Sequence, residues 1–171
     1  REELFEMQCV LARQRARQTG GRAPVVPRQS KLLARFLKAL PFDLTTAQKR
    51  VLTHIFDDLA TGHPMNRLLH GDVGSGKTVV AATAMLGAIA AGHSAALMAP
   101  TQVLAHQHYE NFRKLFEPLG VPVILRTAAR QEKSGASGPR IVIGTHALLF
   151  APEIVGRPAL VVIDEQHKFG V

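Results

Sequence analysis

The stretch Arg67-Leu68-Leu69-His70-Gly71-Asp72-Val73-Gly74-Ser75-Gly76-Lys77-Thr78 joins a short apolar run to Gly-x-x-x-x-Gly-Lys-Thr and then to the alanine-rich segment from Val79 to Ala91. That succession reads as a strand, a turn and a helix. Glycines let the backbone turn tightly, so successive N–H groups point inward at anionic oxygens, and a helix beginning near Lys77 adds the positive end of its dipole. A triphosphate such as ATP fits that turn. Lys77 reaches the β and γ phosphates, and the Thr78 hydroxyl is a Mg²⁺ ligand. The bland alternative is a glycine-rich turn with an exposed lysine. It leaves the strand before and the helix after without a reason.

A second group of candidates follows other apolar runs. Asp164 and Glu165 come directly after Leu160-Val161-Val162-Ile163, where Asp164 can hold the same Mg²⁺ as Thr78 and Glu165 can polarise the attacking water. Exposed carboxylates at a strand end are the plain alternative, weakened by the phosphate loop upstream. Thr101, after Ala99-Pro100, and Thr145, within Gly144-Thr145-His146, each stand where a helix begins. There a hydroxyl and free N–H groups can hold a backbone phosphate of a nucleic acid, although helix capping explains them equally well. Gln48 sits in the first turn of another helix, where its amide can bond both the donor and the acceptor edges of an adenine or simply face solvent. His106 and His108 fall on different faces of one helix and have no zincin-type glutamate between them, so they do not suggest a metal site.

These residues need elements to hold them. Arg1 to Arg17 reads as a helix with Leu4, Met7 and Leu11 on its apolar side, ended by Gly20-Gly21. An extended connector with Pro24 and Pro27 leads to a helix from Lys31 to Leu40 capped by Ser30. Thr45 caps a helix from Thr46 to Leu59. Apolar strands are expected over 94–99, 121–125, 140–143 and 159–163, with a helix from Thr101 to about Phe116 and a short helical turn over 147–150. Segment 127–139 is polar and glycine-containing, and reads as a loop. Alternating apolar strands and helices predict an α/β fold with a parallel sheet covered on both faces. In such a sheet ligands bind beyond the carboxyl ends of the strands, so the phosphate loop, Thr101, Gly144 to His146 and Asp164-Glu165 belong to one edge.

Composition narrows the rest. The chain has 171 residues, enough for a full domain with a core and a small appendage. Its single cysteine, Cys9, excludes an internal disulfide or a cysteine cluster for zinc and suits a reducing compartment. No apolar run is long enough to span a bilayer and the first residues lack a signal-peptide core, so a cytoplasmic protein is expected. Lysine and arginine outnumber aspartate and glutamate by 21 to 13, a formal charge of +8, which makes a polyanion the expected partner.

With these motifs in view, the chain resembles the first RecA-like motor lobe of superfamily 2 helicases, and among them the RecG branch-migration DNA helicases. The carriers are Phe42-x-Leu44-Thr45-x-x-Gln48, Gly71 to Thr78, Ala99-Pro100-Thr101, Gly144-Thr145-His146-Ala147-Leu148-Leu149 and Asp164-Glu165-Gln166-His167-Lys168-Phe169-Gly170-Val171. The resemblance implies a P-loop NTPase lobe over 41–171 preceded by a helical linker over 1–40. It further implies that Gln48 reads adenine, that Asp164 and Glu165 serve magnesium and water, and that His167 couples nucleotide state to the motor. Thr101, Gly144, Thr145 and His146 would face DNA, and the whole would be an ATP-dependent translocase of branched DNA in recombination and repair. The lobe alone would be nearly inactive, because the second motor lobe and the wedge domain lie elsewhere in the family's chains. Two departures stand out: Arg126-Thr127-Ala128 replaces the family's leucine-threonine-glycine turn and its following helix, and Lys168 replaces an arginine. The transcription-repair coupling translocases share the Gly-Asp-Val-Gly loop, but Gln166-His167 favours RecG. Two other classes compete. A nucleotide-dependent DNA-binding switch without unwinding does not account for Gln48 and Thr101, and a small-molecule phosphotransferase needs a substrate pocket and lid that the sequence does not display.

Overall fold

The computed structural model describes residues 21–127, 138–150 and 156–165. The expected first helix with Cys9, most of the 127–139 segment, and Gln166 to Val171 with His167 lie outside those residues. Among the described residues three helices precede the sheet: α1 (Lys31–Ala39), α2 (Thr46–Leu59) and α3 (Lys77–Ala90). They are followed by β1 (Ala95–Met98), α4 (Gln102–Phe116), a 3-10 turn (Glu117–Leu119), β2 (Val123–Arg126), β3 (Ile141–Gly144), a second 3-10 turn (His146–Phe150) and β4 (Leu160–Ile163).

The caps expected from sequence are formed. Ser30 Oγ accepts from the Leu33 N–H at 3.0 Å, and Thr101 Oγ1 from the Leu104 N–H at 3.2 Å. At α2 the cap is reciprocal. Thr45 Oγ1 accepts from Gln48 N while Gln48 Oε1 accepts from Thr45 N, which satisfies two otherwise orphaned donors. The connector before α1 is tied down by two backbone bonds, Ala23 N to Gly62 O at 2.8 Å and Val26 N to Leu59 O at 3.1 Å. Val26 is thereby buried completely.

The four strands form one parallel sheet in the order β2-β3-β1-β4. Parallel strands bury both faces and read as continuous apolar runs, as Ala95–Met98 and Ile141–Gly144 do throughout. Helix α3 packs on β1 and β4, and α4 packs on β2 and β3. Phe36 of α1 meets Phe116 of α4 at 5.5 Å between ring centroids, and Phe116 in turn meets Phe112 at 5.5 Å. Small residues let α3 sit deep. A side chain at Gly87 would collide with the Phe56 ring of α2, so the glycine sets how closely the two helices approach.

One expectation fails. Residues 67–70, expected as the strand leading into the phosphate loop, pair with no strand among the described residues, and Leu68 is 76% exposed. Strand β4 ends the described sheet, and Val161 and Ile163, which share one of its faces, are exposed. Arg67 holds the segment instead by forking onto Asp58 at the end of α2, with Nε at 2.9 Å and Nη2 at 2.6 Å from Oδ2. Apolar character marked 67–70 as strand-compatible, but a strand exists only through its ladder bonds. The other element boundaries differ from expectation by one or two residues.

Candidate active site

Register decides what shares an edge. Met98 lies opposite both Gly144 and Ile163, and Gly144 lies opposite Arg126, so the strands end in one row. Ladder bonds continue just past it: Ala99 N donates to Gly144 O at 2.8 Å and Asp164 N to Met98 O at 2.9 Å. Thr101, Thr145, His146, Asp164 and Glu165 therefore emerge on the same side. Helix α3 enters β1 through residues 91–94 alone, so its carboxyl end lies at the opposite edge. Its 14 residues, at about 1.5 Å each, exceed the span of a four-residue strand. They carry Lys77 and the preceding loop back to the edge where Asp164 stands.

The loop itself is built by local rules. Gly74 and Gly76 have φ of 81° and 79°, a region that disfavours residues with a Cβ. Gly76 is the N-cap of α3, and no side chain caps the helix, which leaves its first N–H groups for an anion. Lys77 Nζ donates to Gly71 O at 2.6 Å and to Asp72 O at 2.7 Å, so the ammonium is held over the loop by the loop's own carbonyls. Asp72, Val73, Gly74, Ser75 and Thr78 are exposed, with Val73 fully so at the tip. Gln48 Nε2 donates to Ser75 O at 3.0 Å, joining the capping box of α2 to the phosphate loop. A Cβ at Gly76 would run into that same amide. Gly76→Ala is accordingly expected to destabilise the fold by about 1–2 kcal/mol from the left-handed backbone alone. Chemical denaturation checks this, and nucleotide affinity should fall with it because Gln48 must give way.

The remaining candidates separate by exposure. Thr101 is exposed and its hydroxyl caps α4. Gly144 is buried, and a side chain there would strike the Arg126 carbonyl and Leu148. Thr145 is 4% exposed, with its Oγ1 accepting from the Ala147 N–H at 3.5 Å, so within this turn His146 is the residue that faces outward. Glu165 is exposed and takes φ of 52°, an uncommon conformation for a residue with a side chain, which turns the chain sharply just after Asp164.

Asp164 has a partner that the sequence reading did not supply. His108 Nε2 lies 2.7 Å from Asp164 Oδ2, with the imidazole 15% and the carboxylate 34% exposed. The signal was available in the spacing. Ala105, His108, Phe112 and Phe116 recur at helical intervals along the inward side of α4, and a histidine on such a stripe needs a polar partner.

A parallel sheet with a glycine-rich loop opening a helix and a carboxylate at the neighbouring strand ends defines a RecA-like P-loop NTPase lobe. More specifically, the family model for DEAD/DEAH box helicases matches residues 45–171, and the chain belongs to that family. Over 151 residues it is 50% identical to the ATP-dependent DNA helicase RecG of Haemophilus influenzae, covering 84% of this chain and 22% of the relative. Over 178 residues it is 40% identical to the ATP-dependent DNA helicase RecG of Aquifex aeolicus, covering 99% of this chain and 22% of the relative. Among solved structures, RecG bound to a three-way DNA junction superposes with a TM-score of 0.85 at 42% identity, over 97% of this chain and 24% of that one. The chain thus spans about a quarter or less of the length of these relatives.

Proposed function

We propose that the chain is the ATP-binding lobe of an ATP-dependent DNA helicase of RecG type, acting on branched DNA. The observation that carries this is the likeness, at 42% identity over 97% of the chain, to a RecG that was captured on a three-way junction. Within the lobe, the Gly71 to Thr78 loop binds the phosphates, with Lys77 leaving the Gly71 and Asp72 carbonyls for phosphate oxygens. Gln48 selects adenine. Its amide oxygen has two lone pairs and its nitrogen two protons, of which Thr45 N and Ser75 O use one each, so one donor and one acceptor remain for a base.

The residues fit Mg²⁺. Thr78 supplies a hydroxyl and Asp164 a carboxylate, the hard oxygen ligands that ion prefers. Mg²⁺ usually completes its shell with phosphate oxygens and waters beside one or two carboxylates. When bound, Mg²⁺ neutralises charge that develops on the transferring phosphate. Glu165 orients the attacking water as base. Thr101 and the Gly144-Thr145-His146 turn contact the DNA backbone, His146 from its exposed position and Thr101 through its helix start. His167 relays nucleotide state to the rest of the motor. Residues 1–40 form the connection to a wedge domain and 41–171 the lobe. No helix among the described residues is long and apolar enough to cross a membrane.

The test is unwinding by the full-length protein of a three-way junction and of a linear duplex of equal length. ATP-dependent strand separation on the junction, and little on the duplex, is expected. Equal activity on both, or none on the junction, would exclude this assignment. A smaller effect concerns Gln48. Gln48→Ala should weaken ATP binding about tenfold, the equivalent of one net hydrogen bond or a little more, and reduce the preference for ATP over GTP. Gln48→Glu keeps the acceptor for Thr45 N but loses the donors to Ser75 O and to the base, so a similar loss there would locate the effect in the amide donors and not in the helix cap.

A further inference from the structure

The imidazole of His108 is enclosed on the inward side of α4. Its ring meets Phe112 edge-on at 6.2 Å between centroids, its Nε2 lies 2.7 Å from Asp164 Oδ2, and its Nδ1 is buried with no polar partner among the described residues. A carboxylate accepts, so in this short contact Nε2 is the donor.

We propose that His108 is a positioning residue for the metal-binding carboxylate: its Nε2 donates to Asp164 Oδ2 and leaves Oδ1 for the metal. The inference rests on the reading of Asp164 as the Mg²⁺ carboxylate. Its physical content is orientation. The Asp164 backbone is already fixed by its N–H bond to Met98 O, which leaves rotation of the side chain as the remaining freedom. A donor held rigidly by the packed face of α4 removes that rotation before the metal arrives. It also links α4, which begins at Thr101 on the proposed DNA side, to the nucleotide site through one side chain. Outer-shell partners of this kind typically change metal affinity by about 10- to 100-fold when removed.

The experiment uses Mn²⁺ as a paramagnetic probe, titrated into the full-length protein with a non-hydrolysable ATP analogue and followed by electron paramagnetic resonance. His108→Phe keeps the packing against Phe112 and removes the donor, and should raise the half-saturating Mn²⁺ concentration about tenfold. His108→Gln places an amide donor at similar reach and should recover most of that loss. Analogue affinity measured in chelator, without metal, should be the same in all three proteins. Unchanged Mn²⁺ affinity in folded His108→Phe, or an equal loss with and without metal, would overturn the proposal. Asp164→Asn separates the two levels. If it loses Mn²⁺ affinity while His108→Phe does not, the positioning role alone is wrong, and if Asp164→Asn leaves affinity intact, the assignment of Asp164 to the metal is wrong.

Discussion

Lys77→Ala should reduce DNA-stimulated ATP hydrolysis by the full-length protein about 100- to 1,000-fold while leaving the lobe folded. The magnitude follows from what the side chain does in each state. The ammonium is held by the Gly71 and Asp72 carbonyls at 2.6 and 2.7 Å, directly over the loop proposed to receive the phosphates. The charge is therefore placed in advance, and its transfer to phosphate oxygens needs little reorganisation. Removing it takes away a preorganised positive charge where negative charge accumulates during phosphoryl transfer, which is among the largest single contributions a site can make. The fold has little to lose, because the carbonyls set free can turn to water at a partly exposed loop. Lys77→Arg should not rescue, since a planar guanidinium cannot occupy the position of a compact ammonium between two carbonyls. Steady-state hydrolysis and far-ultraviolet circular dichroism on the same preparations check both halves of the expectation.

Asp164→Asn has the second large expected effect, a loss of hydrolysis of similar size that appears only where Mg²⁺ is required. The substitution is nearly isosteric and leaves the backbone bond from Asp164 N to Met98 O in place, so β4 keeps its register with β1. What changes is the charge presented to the metal and the acceptor presented to His108. Metal-free binding of an ATP analogue should be unaffected, and half-saturation by Mg²⁺ should move to higher concentration by at least tenfold. Hydrolysis assayed across a Mg²⁺ titration, with analogue binding in chelator as the control, distinguishes this from general damage. A loss of metal-free binding equal to the loss of activity would place Asp164 in the fold and not at the metal.

Much of this site could be read from the chain before any coordinates. Short-range rules gave Ser30 and Thr45 as caps and offered a cap as one of two readings of Thr101, because a cap is decided within four residues of sequence. The edge shared by Thr101, Gly144 and Asp164 followed from alternation of strands and helices, which leaves few topologies open. What failed depended on partners far along the chain. Residues 67–70 have the apolar character of a strand, but pairing is a property of two segments, and the free side of β4 is not paired by any described residue. Thr145 reads at a helix start as a phosphate contact or, equally, a cap, and its hydroxyl accepts from the Ala147 N–H. Burial of its side chain beneath the turn over 146–150 depends on how Leu148 packs against Gly144, which spacing does not encode. His108 was set aside as a metal ligand for want of a motif, and its actual contact spans 56 positions of sequence. The inward stripe of α4 held the clue, since an imidazole between Ala105 and Phe112 needs a polar partner from elsewhere.

The central claim is that the loop from Gly71 to Thr78 and the carboxylate behind Ile163 serve one metal–nucleotide complex. A crystal structure of the protein with Mg²⁺ and a non-hydrolysable ATP analogue tests it most directly. The account predicts the triphosphate wrapped by the loop amides, with Lys77 moved from the Gly71 and Asp72 carbonyls onto phosphate oxygens. It also predicts the metal about 2.1 Å from the Thr78 hydroxyl, with Asp164 bound to it directly or through one water. A nucleotide seated away from the loop, or a metal whose shell does not reach Asp164, would contradict it.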